Sequence, residues 1–235
     1  MAATSHDVLS FDLDGTLVDT AGEIAEAANR ALADHGIAGR PPEAIGLLIG
    51  AGLHALMRRL LVQVQEEEST LGQVVSIDAV LASVDRHYAR TAGTTAQPYP
   101  GCEDALRALR AAGVRLACVT NKESHHARRV LDATGLAGHF DLLIGGDTLP
   151  EKKPHPSVLR HVAHALGGTV ERMAHVGDSR VDVEAARAAG VAAWVVPYGY
   201  NAGEPIALAR PDLVFDRLTD VASHVISSAG ARALA

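Results

Sequence analysis

The sequence contains little cysteine and no long apolar run. Its two cysteines, Cys102 and Cys118, show neither a CxxC pattern nor a metal-binding spacing with histidine, which argues against a disulfide scaffold or a thiolate metal site. No uninterrupted apolar run approaches the ~18 residues that a membrane span needs. The first residues, MAATSHDVL, lack the basic and apolar regions of a secretory signal. We therefore expect a cytoplasmic protein with no membrane partner, in which Cys118 is a small buried side chain.

Positive charge is also scarce in this chain. Lysine and arginine number 21 against 28 acidic residues, a formal net charge of −7, which argues against nucleic acid as a partner. A small anionic substrate is still compatible with this net charge, because a few local cations or a metal ion can make one pocket positive. The 235 residues are enough for one large α/β domain or for a core with a smaller insert, as a monomer or a homodimer.

Short apolar runs rich in valine, isoleucine and leucine recur along the chain and end abruptly at polar residues. Runs of this kind are typical of parallel strands covered on both faces. Helical patterns between them end on a glycine, at Gly113, Gly135 or Gly190, where a left-handed cap is expected. This alternation predicts an α/β fold with a doubly wound parallel sheet, a Rossmann-like core. The five predicted strands are 7–12, 114–120, 140–146, 172–178 and 191–196.

One section, residues 20–96, interrupts this alternation with helical patterns and contains no convincing strand. It follows directly on the first strand, and the prolines and small residues of TTAQPYPG mark its end. We therefore predict an α/β core domain formed by 1–19 and 97–235, and a helical domain formed by 20–96. An insert at this point would cover the carboxyl end of the first strand.

Two carboxylates, Asp12 and Asp14, follow the first predicted strand in the stretch SFDLDGTLVDT. Residues i and i+2 of an extended strand face the same side, so both side chains can point into one space. They would repel each other in a dry site unless a cation lay between them, and Mg²⁺ suits a carboxylate pair. Gly15 then allows a turn that exposes backbone amides, and Thr16 adds a hydroxyl. A plain Asp-Gly turn at a strand end is the alternative.

The next two strand ends carry groups that could bind an oxyanion. Thr120 and Asn121 supply a hydroxyl and an amide at the start of a helix, where backbone N–H groups favour an anion. Plain capping of that helix is the alternative. Lys152 and Lys153 precede prolines that stiffen their loop, which suits a fixed positive charge, although surface lysines are usually solvated. Spacing alone leaves open which lysine turns inward.

The fourth strand end adds two more carboxylates, Asp178 and Asp182, which one helical turn would bring to the same face. Acids that complement a helix dipole are the alternative. In open α/β sheets ligands bind at the carboxyl ends of the strands. The four strand ends thus offer acids for one divalent metal and donors for an oxyanion. This inventory predicts phosphoryl transfer, in which an ionised Asp12 attacks phosphorus and Asp14 carries a proton to the leaving oxygen.

Four stretches together resemble the motifs of the haloacid dehalogenase-like superfamily of hydrolases, namely DLDGTLVDT, VTNK, KKPHP and GDSRVDVEAARAAG. The resemblance implies that Asp12 is the nucleophile that forms an aspartyl-phosphate and that Asp14 is the general acid/base. It implies that Mg²⁺ is held by Asp12, the backbone carbonyl of Asp14 and Asp178, with Asp182 close behind. The 20–96 section looks like the helical cap of that superfamily.

The same resemblance implies which groups hold the phosphoryl oxygens. We expect them to be Gly15, Thr16, Thr120, Asn121 and Lys153. Lys153 is favoured over Lys152 because the family's lysine directly precedes the proline. The implied substrate is a small phosphorylated metabolite.

Within the superfamily the chain is most similar to phosphoglycolate phosphatases, above all in the tail at 197–221 and in the fourth motif. That similarity implies hydrolysis of 2-phosphoglycolate to glycolate and phosphate. The cap departs from the pattern at 45–52, IGLLIGAG, where Ala51 replaces an asparagine and the approach is apolar. Because cap residues select the leaving group, a phosphosugar mutase resembling β-phosphoglucomutase and a pyrophosphatase stay open as alternatives. A metal-free dehalogenase and a phosphate-binding regulator without activity are more remote.

Three further features lead to predictions about individual side chains. His125 and His126 are expected to be partly exposed rather than metal ligands, since Mg²⁺ prefers oxygen. Arg58 and Arg59 could meet a substrate carboxylate, but a solvated helix face is the expected arrangement. Trp194 is expected in the core.

Overall fold

The computed structural model describes residues 5–67 and 76–232. The strands in this part of the chain are β1 Val8–Phe11, β2 Val18–Asp19, β3 Gln97–Pro98, β4 Arg115–Val119, β5 Leu142–Ile144, β6 Met173–Gly177, β7 Ala192–Val195 and β8 Leu213–Val214. The helices are α1 Ala21–Asp34, α2 Pro42–Gly46, α3 Leu53–Glu67, α4 Ile77–Thr91, α5 Cys102–Ala111, α6 Ser124–Ala133, α7 Ser157–Ala165, α8 Arg180–Ala189 and α9 Leu218–Arg232. Short 3₁₀ turns lie at Ala137–His139, Val170–Arg172 and Ile206–Ala209. None of the described helices combines the length and the apolar character needed to cross a membrane.

Six strands form one parallel sheet in the order β5-β4-β1-β6-β7-β8. The chain builds outward from β1 through β4 to β5, then crosses back to β6 and builds outward on the other side. This is the doubly wound, Rossmann-like arrangement, and the predicted fold class is confirmed. The strand order reverses between β1 and β6, and ligands bind at such a switch point in open α/β sheets.

The apolar runs of the sequence correspond to strands that are covered on both faces. In β1, Leu9 and Phe11 belong to one core cluster and Val8 to the other, and all four residues of the strand are buried. Cys118 lies opposite Phe11 in the ladder and is buried, as predicted. Trp194 is also in the core, as predicted. Each large aliphatic or aromatic side chain buried in this way contributes about 1.5–3 kcal/mol of transfer free energy.

The predicted glycine ends of three helices are confirmed. Gly113, Gly135 and Gly190 follow α5, α6 and α8 with φ of +85°, +74° and +79°, a conformation that strains residues with a Cβ. The edge strand β8 was not anticipated. It has two residues, both exposed, so its sequence carries no buried apolar run to reveal it.

Helices α1 to α4 lie between the short strands β2 and β3, which pair antiparallel with Val18 opposite Pro98 and Asp19 opposite Gln97. The chain therefore leaves the sheet and returns to it through adjacent segments. Helix α1 packs against α4 through small and aliphatic side chains, such as Ala28 and Val84, that are fully buried. The division into a core domain and a 20–96 cap domain stays a prediction, and residues 68–75 of that section lie outside the described part.

Candidate active site

The loop after β1 brings Asp12 to the centre of the sheet's carboxyl edge. Asp12 is 6% exposed, and its Oδ1 accepts a hydrogen bond from the backbone N–H of Leu13 at 2.7 Å. Gly15 turns the chain with φ +84°, and a side chain there would collide with Asp178. Thr16 donates its hydroxyl to Asp178 Oδ1 at 2.9 Å. The first motif is therefore locked directly onto the end of β6.

Three carboxylates, Asp12, Asp178 and Asp182, converge at the switch point between β1 and β6. One oxygen from each lies within 4.8 Å of the other two, and all three residues are buried. Burial raises the pKa of Asp12 to about 7; Lys153 opposes this increase, and the Asp182 and Asp14 charges add to it. Burial, together with the Asp182 and Asp12 charges, raises the pKa of Asp178 well above its usual value. Raised carboxyl pKa values mean that this cluster lacks countercharge.

A divalent cation fits this cluster, because its donors are carboxylate oxygens of the kind that Mg²⁺ and Ca²⁺ prefer. Asp182 is already well supplied: it accepts from Lys153 and His175 on Oδ1 at 2.7 and 3.0 Å and from the Ser179 hydroxyl on Oδ2 at 2.6 Å. Asp12 and Asp178 are therefore the better-suited direct ligands, with Asp182 behind them. The predicted metal set of Asp12, Asp14 and Asp178 stays a prediction.

Lys153 supplies the fixed positive charge of the cluster. Its Nζ lies 3.0 Å from Asp12 Oδ1 and 2.7 Å from Asp182 Oδ1, and it is buried. Burial alone would lower the pKa of this lysine, but the Asp12 and Asp182 carboxylates raise it. Burial would likewise raise the pKa of Asp182, but Lys153 and His175 hold it below its usual value. Lys152 is exposed and donates instead to the Ala51 carbonyl at 2.9 Å.

A chain of buried polar groups inside the sheet contacts Asp182, and sequence reasoning missed it. Ser10 Oγ lies 2.8 Å from His175 Nδ1, and His175 Nε2 lies 3.0 Å from Asp182 Oδ1. Burial lowers the pKa of His175, so the neutral ring donates to Asp182 and accepts from the Ser10 hydroxyl. Their positions inside β1 and β6 are the only sequence signal for this chain of contacts.

The Asp14 side chain is not part of the group of three converging carboxylates. Its Oδ1 accepts from Lys122 Nζ at 2.6 Å and from Thr20 Oγ1 at 2.7 Å. Neither partner was predicted. Lys122 could have been found, because it is the third residue beyond β4 and therefore lies at the same carboxyl edge as Asp14.

Thr120 and Asn121 both reach the site but are engaged with the protein. Thr120 Oγ1 accepts from the Lys122 backbone N–H at 3.2 Å. Both hydrogens of the Asn121 amide are used, donated to the carbonyls of Gly50 at 3.1 Å and Lys153 at 3.0 Å. Asn121 thereby ties the end of β4 to the helical section, and its role in holding phosphate stays a prediction.

Tyr200 links the acid cluster to the start of α1. Its backbone N–H donates to Asp178 Oδ2, and its hydroxyl donates to Asp19. The same hydroxyl accepts from the backbone N–H groups of Thr20 and Ala21 at 3.0 and 3.1 Å. Tyr200 lies 22 residues beyond Asp178 in the chain, in the 197–221 tail that resembles phosphoglycolate phosphatases, but it was not predicted as a site residue.

A small cavity lies above these groups; we call it the active-site cavity. Its volume is about 30 Å³. The sheet side of its lining is polar and includes Asp12, Asp14 and Lys122, and the helical side is mainly apolar and includes Ile24, Ile49, Leu53, Leu56 and Tyr88. The stretch at 45–52 therefore contributes directly to the wall of this cavity.

Two expectations about basic residues have different outcomes. His125 is exposed, but His126 is buried, so the expected partial exposure was wrong for His126. It lies on the inward face of α6 and packs edge-on against Tyr88 of α4, with ring centroids 4.8 Å apart. Burial lowers the pKa of His126 to about 4. Arg58 and Arg59 are exposed, as expected, and line a separate surface groove.

The chain is similar in sequence and in fold to known proteins. A family model for haloacid dehalogenase-like hydrolases matches residues 6–190. The chain is 45% identical over 205 residues to a phosphoglycolate phosphatase of Cupriavidus necator, covering 87% of each chain. It is 38% identical over 226 residues to a phosphoglycolate phosphatase of Salmonella typhimurium, covering 91% of this chain and 90% of that one. A crystal structure of a predicted phosphoglycolate phosphatase from Haemophilus somnus has a TM-score of 0.89 and 32% identity, covering 94% of this chain and 98% of that one.

Proposed function

The chain belongs to the haloacid dehalogenase-like hydrolase family and is a phosphatase, and from this premise we propose that it hydrolyses 2-phosphoglycolate to glycolate and phosphate. The observation that carries the choice of substrate is the 45% identity to a phosphoglycolate phosphatase over 87% of both chains.

The proposed reaction has two steps. In the first, an Asp12 carboxylate oxygen attacks phosphorus, the bond to the glycolate oxygen breaks, and Asp14 supplies the proton that this oxygen takes. In the second, Asp14 takes a proton from a water molecule whose oxygen attacks the aspartyl-phosphate, which releases phosphate and restores Asp12. Lys153, at 3.0 Å from Asp12 Oδ1, would keep this nucleophile oriented and offset charge on the phosphoryl oxygens.

We propose Mg²⁺ as the cofactor, held by Asp12, the backbone carbonyl of Asp14 and Asp178, with Asp182 behind. When bound, Mg²⁺ would offset the negative charge of the carboxylates and of the phosphoryl group. Asp182 would act through Lys153 and through the end of β6, since its oxygens are engaged by Lys153, His175 and Ser179.

A phosphate-release screen tests the proposal. It compares 2-phosphoglycolate, sugar phosphates, nucleotides and pyrophosphate with Mg²⁺ present, and follows β-glucose 1-phosphate separately for conversion to the 6-phosphate. We expect 2-phosphoglycolate to give one of the highest kcat/KM values, and phosphate release to stop with excess chelator or in Asp12→Asn. Phosphate release that persists in Asp12→Asn would refute the mechanism; a poor rank for 2-phosphoglycolate would refute the substrate alone.

A further inference from the structure

Lys122 occupies a fixed position at the wall of the active-site cavity. It is 4% exposed, its Nζ donates to Asp14 Oδ1 at 2.6 Å, and the same atom lies 5.0 Å from the centre of the Tyr88 ring. Tyr88 is in turn fixed by donating its hydroxyl to Glu23 Oε1 at 3.2 Å. A lysine held between a carboxylate and an aromatic face has little freedom to leave the cavity.

Lys122 is the one cationic side chain among the described residues that line this cavity. Lys153 lies deeper, between Asp12 and Asp182. Lys152 is engaged with the Ala51 carbonyl, and Arg58 and Arg59 line another groove. An anionic group on a bound leaving group would therefore have Lys122 as its cationic partner.

We propose that Lys122 is the specificity-determining residue that binds a carboxylate on the leaving group. This inference rests on the proposed function and deepens it. Asp14 must lie within hydrogen-bond reach of the leaving oxygen to protonate it, and Lys122 is hydrogen-bonded to Asp14. In glycolate the carboxylate is one carbon from that oxygen, so it comes into reach of the same ammonium group.

The chemistry of the cavity suits this role. An ammonium group carries three N–H donors, and the described contacts of Lys122 Nζ use one of them, to Asp14. A charge-assisted hydrogen bond to a carboxylate is stronger than a neutral one, and the apolar walls formed by Ile24, Leu53 and Leu56 keep the local dielectric low. An analogue without the carboxylate would leave a buried donor without a partner, which is how polar sites discriminate strongly.

The test compares two substrates that differ in one group. 2-Phosphoglycolate carries a carboxylate where 2-hydroxyethyl phosphate carries a neutral hydroxymethyl group. We expect the wild-type kcat/KM to favour 2-phosphoglycolate by at least about 10-fold, and Lys122→Met to reduce this preference about 10- to 100-fold through a higher KM for 2-phosphoglycolate. Lys122→Arg should restore part of the preference. Arg128→Met removes a charge from the exposed side of α6 and should leave it unchanged.

Two outcomes would overturn the inference. One is a wild-type enzyme with no preference between the two substrates. The other is a Lys122→Met enzyme that loses activity on both by the same factor, mainly in kcat, because a residue that only positions Asp14 would act in that way. If thermal unfolding shows that Lys122→Met does not fold, Lys122→Gln replaces it.

A binding measurement separates this inference from the proposed function. In an Asp12→Asn background, calorimetric affinities for the two compounds are read without turnover. We expect Lys122→Met to weaken 2-phosphoglycolate binding about 10-fold or more and to spare 2-hydroxyethyl phosphate. Equal weakening overturns the role of Lys122 whatever the substrate screen shows, and a selective loss supports it even if hydrolysis of 2-phosphoglycolate proves slow.

Discussion

At the scale of single residues, the charge of several buried carboxylates in the site is balanced by few cations. Asp12, Asp178 and Asp182 converge within 4.8 Å, and Lys153 is the ammonium in contact with two of them. Removing one partner from a buried ion pair is costly because the charge left behind is neither hydrated nor paired. The consequence is a clear prediction for the Lys153 side chain.

We expect Lys153→Met to destabilise the metal-free protein by about 3–5 kcal/mol in the free energy of unfolding, because two buried carboxylates lose their countercharge. Urea denaturation with a chelator measures this. Lys152→Met is the matched control: it removes the same charge from an exposed neighbour and should change stability by less than about 0.5 kcal/mol. Similar losses in the two variants would contradict the assigned inward orientation of Lys153.

How much of the site could be predicted follows from the range of each contact. Asp12 and Asp178 directly follow β1 and β6, so strand periodicity and the sheet edge bring them together. Lys153 lies well beyond β5, and it was chosen over Lys152 only through the family resemblance. Lys122 stands at a strand end too, but its pairing with Asp14 depends on side-chain packing. Tyr200 reaches Asp178 through its backbone N–H, an interaction that no side-chain pattern encodes.

At the scale of elements, the turn before α3 governs how the helical section meets the sheet. The Gly50 carbonyl accepts a hydrogen bond from the Asn121 side-chain amide at 3.1 Å. Gly52 has φ +92°, and a Cβ added there would lie 2.9 Å from the Asn121 carbonyl oxygen. Both glycines belong to the stretch 45–52. Their contact with Asn121 was not predicted, because it joins residues far apart in the chain and appears only once α3 and β4 are packed.

We expect Gly52→Ala to lower kcat/KM about 10- to 100-fold, because a displaced turn would move Ile49 and Leu53 in the cavity wall, and small misplacements are costly to catalysis. Steady-state phosphate release measures the effect. Gly36→Ala has the same kind of backbone strain, with φ +69°, but nothing within 4 Å of the added Cβ. It should lose about 1–2 kcal/mol of stability and keep its activity. Equal activity in the two variants would argue against a role for close packing at Gly52.

At the scale of the whole molecule, topology concentrates the acids of an already acidic chain at one point. The strand order was predictable in kind, because alternating apolar runs and glycine-ended helices indicate a doubly wound sheet. The precise neighbours of β1 were not, because periodicity does not tell which strands pair. Placing β6 beside β1 is what joins Asp12 to Asp178, so the proposed metal site is a property of the complete fold.

The proposed metal site predicts a pH-dependent stabilisation by Mg²⁺. Burial raises the pKa of Asp12 to about 7 and that of Asp178 well above its usual value in the metal-free protein, whereas an unfolded aspartate has a pKa of about 3.9. Between about pH 4 and 7 the native state thus holds more protons at these groups, and their contribution to stability falls as the pH rises. Mg²⁺ must displace those protons, so it should bind more tightly at higher pH.

Thermal unfolding with and without Mg²⁺ measures this as a difference in Tm. Comparing the two Tm values removes a second pH effect that does not depend on Mg²⁺. The lowered pKa values of His126 and His175 make the stability of the protein rise with pH, because the histidines of the unfolded chain lose their protons near ~6.5. At pH 7.5 and 100-fold excess over Kd, Mg²⁺ should contribute about 2.7 kcal/mol, or a Tm increase of about 5–10 °C for a chain of this size. We expect a smaller increase at pH 5.5 and none in Asp178→Asn, whereas the exposed Asp216→Asn control should respond like the wild type. A shift of equal size at both pH values would mean that Mg²⁺ does not bind where Asp12 and Asp178 hold their protons.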